Sequence, residues 1–123
     1  MESRRLLVFR ILFWIAAAAA LVFALLPQPV ELPGAPNDKL QHIGAFLTLG
    51  ALGSFAYPKS NPVYLGAGLS LFGGLIEILQ AIPALHRDSD PVDWMADTAA
   101  ATLIIIFLRW LMGRLSQAAR EEG

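Results

Sequence analysis

The sequence predicts an all-α protein, an integral membrane bundle of four antiparallel helices with both termini in the cytoplasm. Three observations predict it. Hydrophobic residues make up 56% of the 123 residues and charged residues 15%, whereas soluble domains run near ~45–50% and ~25%. The apolar residues gather into four segments close to the length that crosses a ~30 Å hydrocarbon layer. No segment alternates with period two, which excludes half-buried strands.

The first segment, residues 6–26 (LLVFRILFWIAAAAALVFALL), is broken only by Arg10, close enough to one end to snorkel to the interface. Arg4 and Arg5 before it also fit the basic start of a secretory signal peptide. Against that reading, the apolar run continues past the alanines to Leu26 and no A-x-A site follows. Pro27, Pro29, Pro33, Pro36 and Gly34 then forbid a continuing helix, and Asn37 or Asp38 can cap the next one. The second segment, 40–57, stops at Pro58. The loop PKSNP leads into the third, 63–82, which Pro83 ends. The fourth, 93–112, is followed by the polar tail GRLSQAAREEG. Residues 1–123 thus form one membrane domain with long loops at 27–39 and 83–92.

Lysine and arginine set the orientation. Arg4, Arg5, Arg10, Lys59, Arg109, Arg114 and Arg120 share one side, and only Lys39 and Arg87 take the other. The termini and the Lys59 loop are therefore expected in the cytoplasm and the two long loops outside. Trp94 and Trp110 stand ~24 Å apart along the fourth helix, a spacing that suits two interfacial aromatic belts. Trp14 has no place in that pattern. Gly66, Ser70 and Gly74, then Gly50 and Gly53, then Ala96, Ala99 and Ala100 are expected to be packing faces.

Polar residues inside these segments coincide in depth. Asp38 and His42 share a face at the outer end of the second helix, Glu77 and Gln80 lie near the outer end of the third, and Asp93 and Asp97 open the fourth. His42, Glu77 and Asp97 each stand one to two turns in, roughly 5–9 Å. The cytoplasmic half offers nothing comparable. Ionisable groups inside apolar helices are costly in hydrocarbon and tend to face a protein interior or a wet cavity. Plainer readings exist for each: His42 as an interfacial cap, Glu77 and Asp97 as interhelical bonds, Asp93 as a first-turn acid, Lys39 as an anchor and Arg87 as a counter-charge.

Other classes are excluded or disfavoured. A net charge of -1 does not suit nucleic acid, and with no cysteine there are no disulfides or thiolate metal sites. No H-E-x-x-H, G-x-S-x-G or phosphate loop is present, and neither a metal nor a cofactor is expected. The expected function is binding at an outward polar pocket formed by Asp38, Lys39, His42, Glu77, Gln80, Arg87, Asp93 and Asp97. Arg87 and Lys39 would meet a phosphate or carboxylate, and Gln80, Asp93 and Asp97 would accept hydroxyl or amide hydrogens. One alternative is an acid–base hydrolase or transferase using His42 with Glu77 or Asp97. Others are a proton-coupled carrier and a structural subunit.

The order Asp38-Lys39-x-x-His42, Glu77-x-x-Gln80, Pro83, Arg87, Ser89 and Asp93 resembles the VanZ-like family, small bacterial membrane proteins named after a teicoplanin-resistance protein. The similarity covers residues 38–105. Where the family pattern has an asparagine four residues after the aspartate, this chain has Asp97, and Ala99 to Ala101 replace glycines. The resemblance implies a multi-pass protein of the bacterial inner membrane. It also implies partners among membrane lipids, lipid-linked envelope precursors or glycopeptide antibiotics. It supplies no reaction.

Overall fold

Apolar runs punctuated by proline fold as four helices. A computed structural model describes residues 2–26, 38–83 and 91–122, with α1 at Glu2–Leu25, α2 at Asp38–Ala56, α3 at Pro62–Gln80 and α4 at Pro91–Glu122. Among the described residues there is no strand.

Local chemistry sets several of the ends. Asn61 holds extended backbone (φ -66, ψ 122) and its side chain accepts from Val63 N at 2.9 Å, with Pro62 in the first turn. The far end of α3 tightens through Ala81 N to Ile78 O at 3.2 Å and Ile82 N to Leu79 O at 3.1 Å. α2 closes with Tyr57 N donating to Gly53 O at 2.9 Å, just before Pro58. α4 runs past the expected end at 112 to span 32 residues, about 48 Å. Its tail is rich in Ala, Arg, Gln and Glu, all strong helix formers, and Gly113 opposes them by only ~1 kcal/mol.

Contacts between helices fix an up-down-up-down bundle. Arg10 on α1 reaches Ala56 at the end of α2, and Arg109 late in α4 reaches the α2–α3 turn. Both termini therefore lie at one end. Gln80 meets Ala24 at the opposite end, as does His42 with Asp97. α2 packs most heavily on α4 and α1, and α3 packs on α4.

The core runs along α2, where Phe46, Leu49, Ser54 and Ala56 are at most 1% exposed, and meets Ile76, Ala101 and Ile105. A Cβ on Gly50 would stand 2.5 Å from Ile104 Cγ2 and 3.2 Å from Ala101 O, so glycine permits the close crossing of α2 and α4. Most of the expected small-residue positions pack as anticipated, Gly50 and Gly53 on α2 and Ser70 and Gly74 on α3 among them, but two do not. Gly66 faces open space, and the α3–α4 contact is made by Ser70, Gly73 and Gly74 under the Trp94 indole. On α4, Ala100 and Ala101 are buried while Ala99 is exposed.

Three helices are long and apolar enough to cross a membrane, namely α1 from Ser3, α3 and α4. The apolar part of α2, Leu40–Ala56, is shorter, and it is the most enclosed of the four. On the outside, Leu7, Ile15, Val22, Phe23, Leu71, Ile78, Leu103 and Ile106 are each more than half exposed.

Candidate functional site

The site begins with register. Phe46 packs against Gly73, and a Cβ on Gly53 would meet Leu65, which fixes α2 against α3. One turn beyond the Phe46–Gly73 contact, on the same two faces, stand His42 and Glu77. Ser70 Oγ and Thr98 Oγ1 lie 3.0 Å apart and Trp94 Nε1 donates to Ser70 O at 2.9 Å, fixing α3 against α4. That register puts Asp93 about level with Leu75, within a turn of Glu77.

The buried polar side chains at this end are Glu77 (8% exposed), Gln80 (2%) and Asp97 (2%). His42 Nδ1 lies 3.5 Å from Asp97 Oδ2, with the two side chains 11% and 3% exposed. Asp97 Oδ1 is also buried and, among the described residues, accepts no hydrogen bond. Gln80 Nε2 donates to Ala24 O at 3.0 Å and so ties α3 to the end of α1, a structural task the sequence does not reveal. Asp93 is half-buried one turn before Asp97. Arg87 lies outside the described residues, as do the side chains of Asp38 and Lys39.

A carboxylate against Nδ1 holds an imidazole ring in place and raises its basicity. The His42–Asp97 pair can therefore orient a polar group, accept its hydrogen or move a proton. Among the described residues no three His, Asp or Glu side chains gather as metal ligands would.

The expectation that the opposite half holds nothing comparable is overturned. Arg109 donates from Nη1 to Pro58 O and Ser60 O, both at 2.8 Å, and from Nη2 to Tyr57 O at 2.9 Å. Arg10 Nε donates to Ala56 O at 3.0 Å while its guanidinium stacks 4.7 Å over the Tyr57 ring. Trp14 Nε1 donates to Tyr57 Oη at 3.0 Å, which explains that tryptophan. The last turn of α2 has no basic residue of its own. Arg10 of the first helix meets its Ala56 carbonyl and Arg109 of the last helix meets the carbonyls of the turn that follows, where the helix dipole favours positive charge. The signal in the sequence was two arginines set inside otherwise apolar runs.

No family model matches the chain, and neither a curated protein nor a solved structure gives a significant match to it.

Proposed function

We propose that the chain is a multi-pass protein of the bacterial inner membrane, with four spans, cytoplasmic termini and an outward polar site at the His42 end. In this reading the site binds the polar head of an envelope lipid, a lipid-linked glycan or a glycopeptide-type antibiotic, as the likeness to the VanZ-like family suggests. The apolar exterior of α1, α3 and α4 supports the membrane setting, because soluble monomers rarely expose contiguous apolar patches beyond a few hundred Å². The excess of Lys and Arg at the end that holds the termini supports the orientation. Short α2 still extends about 26 Å through its apolar part, and α1, α3 and α4 surround it.

The observation that carries the binding reading is Asp97. It is 2% exposed inside an apolar bundle, one carboxylate oxygen faces His42, and the other accepts nothing among the described residues. A buried carboxylate oxygen without a donor is costly, and a ligand hydroxyl, amide or ammonium would relieve it. Direct binding to the purified protein in lipid nanodiscs tests this, with lipid-linked disaccharide and glycopeptide as probes. Asp97→Asn and Glu77→Gln should each weaken binding about tenfold or more. Unchanged affinity in both variants refutes the reading.

The 3.5 Å His42–Asp97 contact favours one second reading, an acid–base enzyme acting on lipid-linked phosphates. Turnover that disappears in His42→Ala while binding persists would select it over simple binding.

A further inference from the structure

At the end of the bundle that carries both termini, a cleft of about 440 Å³ opens between the first turns of α1 and the α2–α3 turn. Its polar lining comes from Ser3, Arg10, Tyr57, Lys59 and Ser60, with Leu6 on the apolar wall. Among the described residues no acidic side chain lines it. Arg4 and Arg5 are exposed beside it on α1.

The groups in the cleft are held ready. Arg10 is fixed twice, by Ala56 O at 3.0 Å and by the Tyr57 ring at 4.7 Å. Only its Nε is used in that bond, so the two Nη groups keep their donors for a planar oxyanion partner. Tyr57 Oη accepts from Trp14 Nε1, which leaves the phenolic hydrogen to donate outward. Lys59 is exposed on the turn and supplies a second, mobile cation. Two cations and a hydroxyl donor around one opening, with an apolar wall behind, match a phosphate diester attached to acyl chains. A zwitterionic phosphocholine headgroup offers the same phosphate but fits less well, because its quaternary ammonium would meet Arg10 and Lys59 with like charge.

We infer that this cleft is a binding site for the phosphate of an anionic phospholipid, taken from the leaflet in which the termini lie. Basic pockets between membrane helices recognise anionic headgroups in this way. The inference rests on the membrane reading above but not on the His42 site, which occupies the other end.

The test is retention of lipid after extraction. Full-length protein is reconstituted in vesicles of equal parts phosphatidylcholine and phosphatidylglycerol, floated, released into mild detergent and weighed by native mass spectrometry. The wild type should keep one phosphatidylglycerol in preference to phosphatidylcholine. Lys59→Gln should weaken that preference about fivefold, and Arg10→Gln should abolish it. Arg120→Gln, on the exposed end of α4, and His42→Ala should keep it. Arg10→Gln also uncaps α2, so if that protein unfolds, Lys59→Gln alone decides the outcome. Equal retention of the two lipids, or a Lys59→Gln protein that behaves as wild type, overturns the headgroup site alone. Complete displacement of the lipid by excess inorganic phosphate would assign the cleft to the free anion and also overturn it. A protein that fails to float with vesicles overturns both this site and the membrane reading.

Discussion

Replacing Arg109 should loosen the whole bundle, and the size of the loss follows from its hydrogen bonds. The guanidinium serves three carbonyls at 2.8–2.9 Å, those of Tyr57 and Pro58 in part-buried settings and that of Ser60 in an exposed one. Hydrogen bonds to a charged donor contribute ~1.5–3 kcal/mol each. Two part-buried bonds at the lower bound, plus ~0.5 kcal/mol for the exposed one, which water can replace, give ~3.5 kcal/mol for Arg109→Ala. Arg109→Lys keeps the charge but loses the planar fork. It should reach one or two of the carbonyls and cost about half as much. Unfolding in mixed micelles titrated with dodecyl sulfate, followed by far-ultraviolet circular dichroism, reads these differences directly. Lys59→Ala, in the same turn, serves as the control and should stay within ~0.5 kcal/mol of the wild type. An Arg109→Ala protein equally close to the wild type, or a lysine variant no better than alanine, would refute the account of the turn.

Gly50→Ala should destabilise by ~1–3 kcal/mol through overpacking, since its Cβ would stand 2.5 Å from Ile104 Cγ2. The double variant with Ile104→Ala should recover part of that loss in the same titration. Gln80→Leu should cost ~1–2 kcal/mol because it leaves the buried Ala24 carbonyl without its 3.0 Å donor, and the helix end near Leu25 should become more sensitive to added protease. His42→Leu and Asp97→Leu should be strongly non-additive, with a coupling of ~1 kcal/mol or more, as expected for side chains in direct contact. A double-mutant cycle with no coupling would mean that the imidazole and the carboxylate act separately.

The parts of the fold legible in the sequence are those written in local pattern. Four apolar runs bounded by Pro27, Pro58 and Pro83 give four helices, and counting turns inward from each boundary puts His42, Glu77 and Asp97 at one end with buried faces. What was hidden depends on distance along the chain. Gln80 finds its acceptor 56 residues away and Arg109 finds one 51 residues away, and in both cases the acceptor is a backbone carbonyl, which any residue carries and no pattern marks. The extent of the packing stripe on α3 was hidden for a similar reason. Ser70 and Gly74 of the expected row do meet α4, but the Trp94 indole also covers Gly73, and Gly66 faces open space. The tail after Gly113 reads as polar all round, yet its residues favour helix intrinsically, and nothing after Gly113 interrupts them.

The clamp at the α2–α3 turn also sets an order of events during synthesis. Chains emerge from the ribosome amino end first, so the α2–α3 hairpin exists before its keystone does. Arg10 is already available when the turn forms, and Ser60 already donates to the Tyr57 carbonyl, but the carbonyls of Pro58 and Ser60 wait for residue 109. A nascent chain interrupted before that point carries a hairpin whose Pro58 and Ser60 carbonyls lack their cation.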